Sequence, residues 1–233
     1  MDAVWLARLQ FALTVGFHYL FPPLSIGLGW MIFAYQTKFL KTGDPAWQQL
    51  ARFWTRLFAI TFAVGVATGI TMEFQFGTNW AAYSRFVGDI FGAPLAAEGV
   101  FAFFLESSFL AILIYGENRV SRKVYWLSSL LVALGATLSA FWIVVANSWQ
   151  QTPAGYQIVN GRAELTDFVA AVFNPSTLPR YGHVITGALV TGTFFVLGVS
   201  ALMLLKRKHA AFAEGALKSA VLPAFASVML AMG

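Results

Sequence analysis

Four ionisable side chains of this 233-residue chain stand inside long uncharged stretches: His18, Glu98, Glu106 and His183. Such groups are costly in apolar surroundings, and where they occur they mark ligand sites or proton paths. An imidazole can bind a metal or haem iron, while a carboxyl can ligate, accept a hydrogen bond or carry a proton. Thiolate chemistry is excluded because the chain has no cysteine, and with it go disulfides, iron–sulfur clusters and covalent c-type haem attachment. Each candidate also has a plain structural reading. His18 could be a polar residue hydrogen-bonded to a neighbouring helix, His183 a lone interfacial histidine, and Glu106 a neutral acid making one interhelical hydrogen bond.

The elements that must position these groups follow from composition. Hydrophobic residues make up 58% of the chain, aromatics 16% and charged residues only 11%, against about 25% charged in soluble domains. Mean hydropathy is +0.69. This excludes a soluble domain, a disordered chain, collagen and a coiled coil. The expected fold is an all-α integral membrane bundle, a single transmembrane domain over residues 1–233, with about six spans near 9–37, 53–75, 94–115, 124–147, 181–205 and 217–233. Pro22-Pro23 should kink the first span. MDAVWLARLQF lacks the basic region and cleavage site of a signal peptide, so the first span is expected to be retained.

Basic residues set the orientation. Lys38, Lys41, Arg52 and Arg56 flank the first connection, Arg119, Arg122 and Lys123 the third, and Lys206, Arg207, Lys208 and Lys218 the fifth. By the positive-inside rule those connections are cytoplasmic and the N-terminus is outside. The net charge of +5 therefore belongs to inner loops, and nucleic-acid binding is not expected. The Gly77–Ala93 and Ser148–Arg180 segments are expected to be outer loops lying along the surface.

On this topology His18 lies 20 residues before Lys38 and His183 lies 23 before Lys206, so each sits about 30 Å or more from the inner boundary at 1.5 Å per residue. Glu98 shares that outer depth. Glu106 is about 12 Å deeper and turned by about 80° in an unbroken α-helix. A carboxyl there without a Lys or Arg partner suits a proton relay, since burial disfavours the charged form. Gly65-x-x-x-Gly69 offers a small-residue packing face. Ser128, Gly135 and Ser139 lie within about 40° of one another on the fourth helix, a stripe suited to close helix approach or to a cofactor edge. Histidines inside a bundle without thiolates suggest haem, with the many Phe and Trp side chains as flat walls. Redox and transport roles both remain open from the residues alone.

Several segments carry a family resemblance. They are Arg8-Leu-Gln-Phe-Ala-Leu-Thr, Gly65-Val-Ala-Thr-Gly, Met72-Glu-Phe-Gln-Phe-Gly-Thr-Asn-Trp80, Val87-Gly-Asp-Ile-Phe-Gly-Ala-Pro-Leu95, Phe103-Phe-Leu-Glu-Ser107, Ser139-Ala-Phe-Trp-Ile-Val-Val-Ala-Asn147 and Phe173-Asn-Pro175, followed by the His183 helix. Together, in order and over essentially the whole chain, they resemble subunit I of the cytochrome bd ubiquinol oxidases.

The resemblance implies a low-spin haem b, a high-spin haem b and a haem d, with quinol oxidised and O2 reduced to water in a bacterial cytoplasmic (inner) membrane. It implies His18 as axial ligand of a high-spin haem, His183 as a ligand of the low-spin haem b, and Glu98 as a carboxylate at the oxygen site. Arg8 and Ser139 count among the cofactor contacts it implies, and Glu106 as a proton-path residue with Ser107 or Ser139 as neighbours. Expected partners are subunit II, small single-helix subunits, and the lipid bilayer. Family members carry further helices, a long outer quinol-binding loop, a methionine ligand and a later carboxylate, none of which lies within these residues. They are expected from the rest of a longer polypeptide or from a partner chain, unless this is a shortened homologue with fewer haems. The competing assignments are a non-catalytic haem-binding or scaffold subunit and, third, a transporter or channel.

Overall fold

A computed structural model describes residues 2–232. α1 (Ala3–His18) and α2 (Phe21–Thr42) make the first crossing and α3 (Pro45–Gly77) the second. α4 (Ala81–Ala97), a π-helical turn (Glu98–Phe103) and α5 (Phe104–Tyr115) make the third. α6 (Arg122–Gln151) is the fourth. A hairpin of β1 (Tyr156–Val159) and β2 (Arg162–Leu165), then a short α7 (Phe168–Val172), lead into α8 (Thr177–Leu205) and α9 (Ala210–Met232). Six of these helical units are long and apolar enough to cross a bilayer, and the chain is a multi-pass membrane protein. Each unit begins earlier or runs further than its charge-free run, because helices extend through their polar flanks.

The two prolines do more than kink the first span. Continuing α1 would require amide hydrogens from Pro22 and Pro23 to the carbonyls of His18 and Tyr19, and neither residue has one. The helix therefore stops at His18 and restarts with the prolines in the first turn of α2, where missing amide hydrogens cost nothing. The expected Gly77–Ala93 loop is largely helical. Its charged residues lie on a helix that docks the hairpin: the Leu165 amide donates to Asp89 Oδ2 at 2.7 Å, and Arg162 Nε donates to the Arg85 carbonyl at 3.1 Å. The hairpin turns at Asn160-Gly161, both with positive φ of 48° and 75°, the pairing that a two-residue turn requires.

Packing divides the bundle by depth. The main core lies in the inner half, where Leu28, Ile32, Trp54, Phe58, Val132 and Val196 are at most 1% exposed. On the outer side the pattern changes. α3 buries no residue beyond Phe58, α1 buries none, and the π turn buries only Ala102. Helix pairs are tied by side-chain bonds, among them Trp30 Nε1 to Thr137 Oγ1 at 3.1 Å, Trp126 Nε1 to Thr37 Oγ1 at 2.9 Å, and the Tyr35 and Ser219 hydroxyls at 3.0 Å.

At one crossing, α2 on α8, the backbones come into direct contact. A β-carbon on Gly27 would lie 2.6 Å from Gly192 Cα, and one on Gly192 would lie 2.4 Å from the Gly27 backbone. Backbones meet here because neither residue has a side chain, as in small-residue interfaces of membrane helices generally. Gly198, on the same helix, has nothing within 4 Å. Gly192→Val should lower the thermal stability of the protein in detergent by about 1–3 kcal/mol through overpacking. Gly198→Ala should melt like the wild type. Equal melting of Gly192→Val and wild type would mean that this crossing does not carry the bundle.

Candidate functional site

His18 ends α1 at the proline break and turns its ring onto α3. Its Nδ1 lies 2.9 Å from Thr68 Oγ1. Gly65 and Gly69 make this approach possible: β-carbons there would lie 3.2 Å from Phe21 Cβ and 3.3 Å from His18 Cε1. The Gly65-x-x-x-Gly69 face is thus a packing face, and what packs on it is the His18 junction. Further out, Gln10 of α1 donates to Gln75 Oε1 at 3.0 Å and accepts from Trp80 Nε1 at 3.2 Å, while Asn79 donates to the same Gln75 oxygen at 2.6 Å. These bonds join the first and third of the motif segments and pin α1 against the end of α3. The inter-segment hydrogen bonds explain why polar residues recur in an otherwise apolar stretch. Arg8 is exposed on α1.

Glu98 opens the π turn and is half-buried against α6, where the Ser139 hydroxyl donates to its Oε1 at 2.7 Å. Ser139 thus partners Glu98 and not Glu106, while the π turn sets how the two acids lie relative to each other. A π turn bonds residue i to i+5 and so inserts one residue into the helical repeat. The eight steps from Glu98 to Glu106 then count as about seven, and the offset falls from about 80° to about 20°. Both acids consequently face α6. Gly135, one turn from Ser139 on that helix, sits so close to Glu106 that a β-carbon would lie 3.0 Å from the Glu106 amide nitrogen. Glu106 is only 6% exposed. Ser107 donates to the Phe104 carbonyl at 3.4 Å.

The sequence explains the π turn locally. Pro94 removes one hydrogen bond a turn earlier, and Gly99 lowers the cost of irregular backbone. Phe103 stacks on Phe62 of α3 with centroids 6.1 Å apart and planes 9° apart, which holds the turn between α3 and α6. Of the small-residue stripe on α6, Gly135 serves close approach, Ser139 serves a carboxylate, and Ser128 bonds its own helix at the Val124 carbonyl.

His183 stands apart on the exposed outer end of α8, lining a shallow cleft of about 330 Å³ with Val144, Asn147, Pro179, Arg180 and Val184. Among the described residues no three His, Asp or Glu side chains gather on one ion, so His18, Glu98 and His183 do not form a single metal centre. The start of α8 is placed by a buried polar cluster that the sequence did not announce beyond Phe173-Asn-Pro175. Asn174, 3% exposed, donates to Ser148 Oγ at 3.1 Å and to the Ala171 carbonyl at 3.0 Å. Its Oδ1 accepts from Thr152 Oγ1 at 2.9 Å and from the Ser176 amide at 3.2 Å.

Comparison with known proteins gives this geometry its context. The family described as cytochrome bd terminal oxidase subunit I matches residues 6–233. The chain belongs to that family. It is 50% identical over 222 residues to cytochrome bd ubiquinol oxidase subunit 1 of Bacillus subtilis (strain 168), covering 95% of this chain and 47% of that protein. It is 47% identical over 210 residues to cytochrome bd-II ubiquinol oxidase subunit 1 of Escherichia coli (strain K12), covering 89% of this chain and 41% of that one. The chain thus spans less than half the length of these two bd oxidase subunits. The solved bd oxidase from Geobacillus thermodenitrificans superposes with a TM-score of 0.93 at 31% identity, over 99% of this chain and 54% of the other. The bundle of the bd oxidase family is the fold on which these side chains are arranged.

Two features at the site escaped the sequence reading. Thr68 lay within the Gly65-Val-Ala-Thr-Gly segment, and its neighbouring glycines were the available signal. The hairpin was signalled by Asn160-Gly161 between two short polar-apolar runs. Asn174→Ala should leave the Ser148 and Thr152 groups short of partners and cost about 1–3 kcal/mol, seen as earlier thermal unfolding and faster proteolysis of the 152–176 segment. Unchanged stability and cleavage would show that Asn174 does not organise this end of α8.

Proposed function

We propose that the chain provides the haem-bearing core of a cytochrome bd-type quinol:oxygen oxidoreductase in the cytoplasmic membrane of a bacterium, acting with subunit II and small single-helix subunits. The observation that carries this reading is the π turn, which turns Glu98 and Glu106 towards one face of α6, in a chain of this family. When bound, low-spin haem b, high-spin haem b and haem d would take electrons from quinol and reduce O2 to water.

The residues present fit such groups. His18 holds one ring nitrogen on Thr68 and leaves Nε2 for a haem iron, with unburied Phe17, Val64 and Ile70 around the junction. Metal-bound imidazoles ordinarily have such a partner on the second nitrogen. His183, exposed over the cleft with Asn147 and Arg180, would bind the iron of the low-spin haem b through its imidazole. Arg8 would offer its guanidinium to an acidic cofactor group at the outer edge.

The carboxyls divide the remaining work. Ser139 donates to Glu98 Oε1 and fixes that carboxyl at the outer level. Glu106 lies deeper on the same side, enclosed by Gly135. It would take a proton arriving from the cytoplasmic side on a carboxyl oxygen and release it outwards, which a buried acid can do only if both protonation states are accessible.

Substitution separates these roles in the purified complex. His183→Ala should abolish the low-spin haem b absorption with the protein still inserted, and His18→Ala should alter the oxygen-reactive haem and stop turnover. Retention of low-spin absorption in the first, or of full oxygen consumption and carbon-monoxide binding in the second, would remove the respective assignment. A further pair tests the carboxyls. Glu98→Ala should change the haem spectrum, whereas Glu106→Gln should keep haem content near normal and slow turnover about 10²-fold or more. Glu106→Asp should retain part of the activity. Normal turnover of Glu106→Gln would place the proton path elsewhere.

A further inference from the structure

We infer that Thr68 is a positioning residue that selects the tautomer of His18 and thereby directs the imidazole lone pair on Nε2 away from α3 towards a haem iron. The inference rests on the reading of His18 as a haem ligand and adds the group that prepares it.

The hydrogen-bond count at Thr68 supports one proton arrangement. Its hydroxyl oxygen lies 3.0 Å from the Val64 carbonyl and 2.9 Å from the Gly65 carbonyl, as well as 2.9 Å from His18 Nδ1. A hydroxyl has one proton to give and two lone pairs to offer. If that proton goes to a backbone carbonyl, the oxygen accepts from Nδ1–H, and both polar hydrogens are satisfied. If it goes instead to Nδ1, the carbonyl contact is lost and the imidazole proton moves to Nε2. In apolar surroundings the first arrangement makes one more hydrogen bond and is favoured, because each unmade bond there is expensive. It leaves Nε2 with a free lone pair, the form a metal requires.

Geometry fixes the ring as well as the proton. Gly69 lies beside the neighbouring ring atom, such that a β-carbon there would stand 3.3 Å from Cε1 and 4.0 Å from Nδ1. The ring is thus bounded by a hydroxyl acceptor and by a residue with no side chain, one position apart on α3. On the other side the Pro22-Pro23 break stops α1 at His18 and frees the residue to turn onto α3.

The test uses the purified complex carrying Thr68→Val, which keeps the shape and removes the acceptor, and Thr68→Ser, which restores it. The readouts are haem content per protein, the carbon-monoxide difference spectrum and the iron–imidazole stretching band in resonance Raman. Thr68→Val should weaken retention of the His18-bound haem about 10- to 100-fold, the range for loss of a ligand's hydrogen-bonding partner, and shift the iron–imidazole band. Thr68→Ser should recover both, with both variants melting like the wild type. A Thr68→Val complex identical to wild type, or Thr68→Ser as defective as Thr68→Val, overturns the inference. His18→Ala in parallel separates the two levels. If it loses the signal while Thr68→Val is silent, the tautomer role alone fails; if it keeps the signal, the ligand reading fails and the Thr68 role with it.

Discussion

A polar side chain inside a bilayer must find its hydrogen-bond partner within the bundle, because lipid offers none. The arrangement of this chain follows from meeting that demand with hydroxyls on neighbouring helices. His18 of α1 meets Thr68 of α3, and Glu98 of the π turn meets Ser139 of α6. A short hydroxyl side chain reaches a neighbour only where backbones come close, and small residues stand at each such place: Gly65 and Gly69 beside His18, and Gly135 one turn from Ser139. The glycines of the membrane segments therefore belong to the polar sites as much as to the packing. Gly27 and Gly192 extend the same principle to α2 and α8, where backbone meets backbone and holds the frame on which the outer groups stand.

The division of the bundle by depth follows from this arrangement. The inner half is filled by side chains such as Trp54, Phe58 and Val196, and forms a rigid base. Towards the outside, α1, the far part of α3 and the π turn bury little, and the candidate ligand residues occur at that level. The Asn174 cluster and the hairpin docked on Asp89 add hydrogen bonds to a second, outer apolar cluster that includes Phe91, Trp149, Ala163 and Ala171.

Much of this was legible from the sequence, and the reasons differ by feature. Uninterrupted apolar runs and the clustering of Lys and Arg depend on bilayer thickness and charge alone, so the six crossings could be read directly. His18, Glu98, Glu106 and His183 stood out because ionisable residues are rare in such runs. Their pairings did not, since which hydroxyl faces which acid depends on helix register, and one inserted residue moves every later side chain by about 100°. The π turn moved Glu106 in this way onto the side of α6 that Glu98 already faces. The Gly77–Ala93 segment read as a loop because Arg85 and Asp89 break its apolar character; in the folded chain they serve a hairpin that lies far along the sequence.

The assignment as a haem-bearing oxidase core is tested most directly on the wild-type complex, by a reduced-minus-oxidised optical spectrum taken together with pigment stoichiometry and intact mass. Bands of b-type haem accompanied by a far-red haem d band are the expected result. Bands of b-type haem alone would reduce the chain to a haem-carrying subunit without the oxygen site. A purified complex with no haem absorption would contradict the account at its centre.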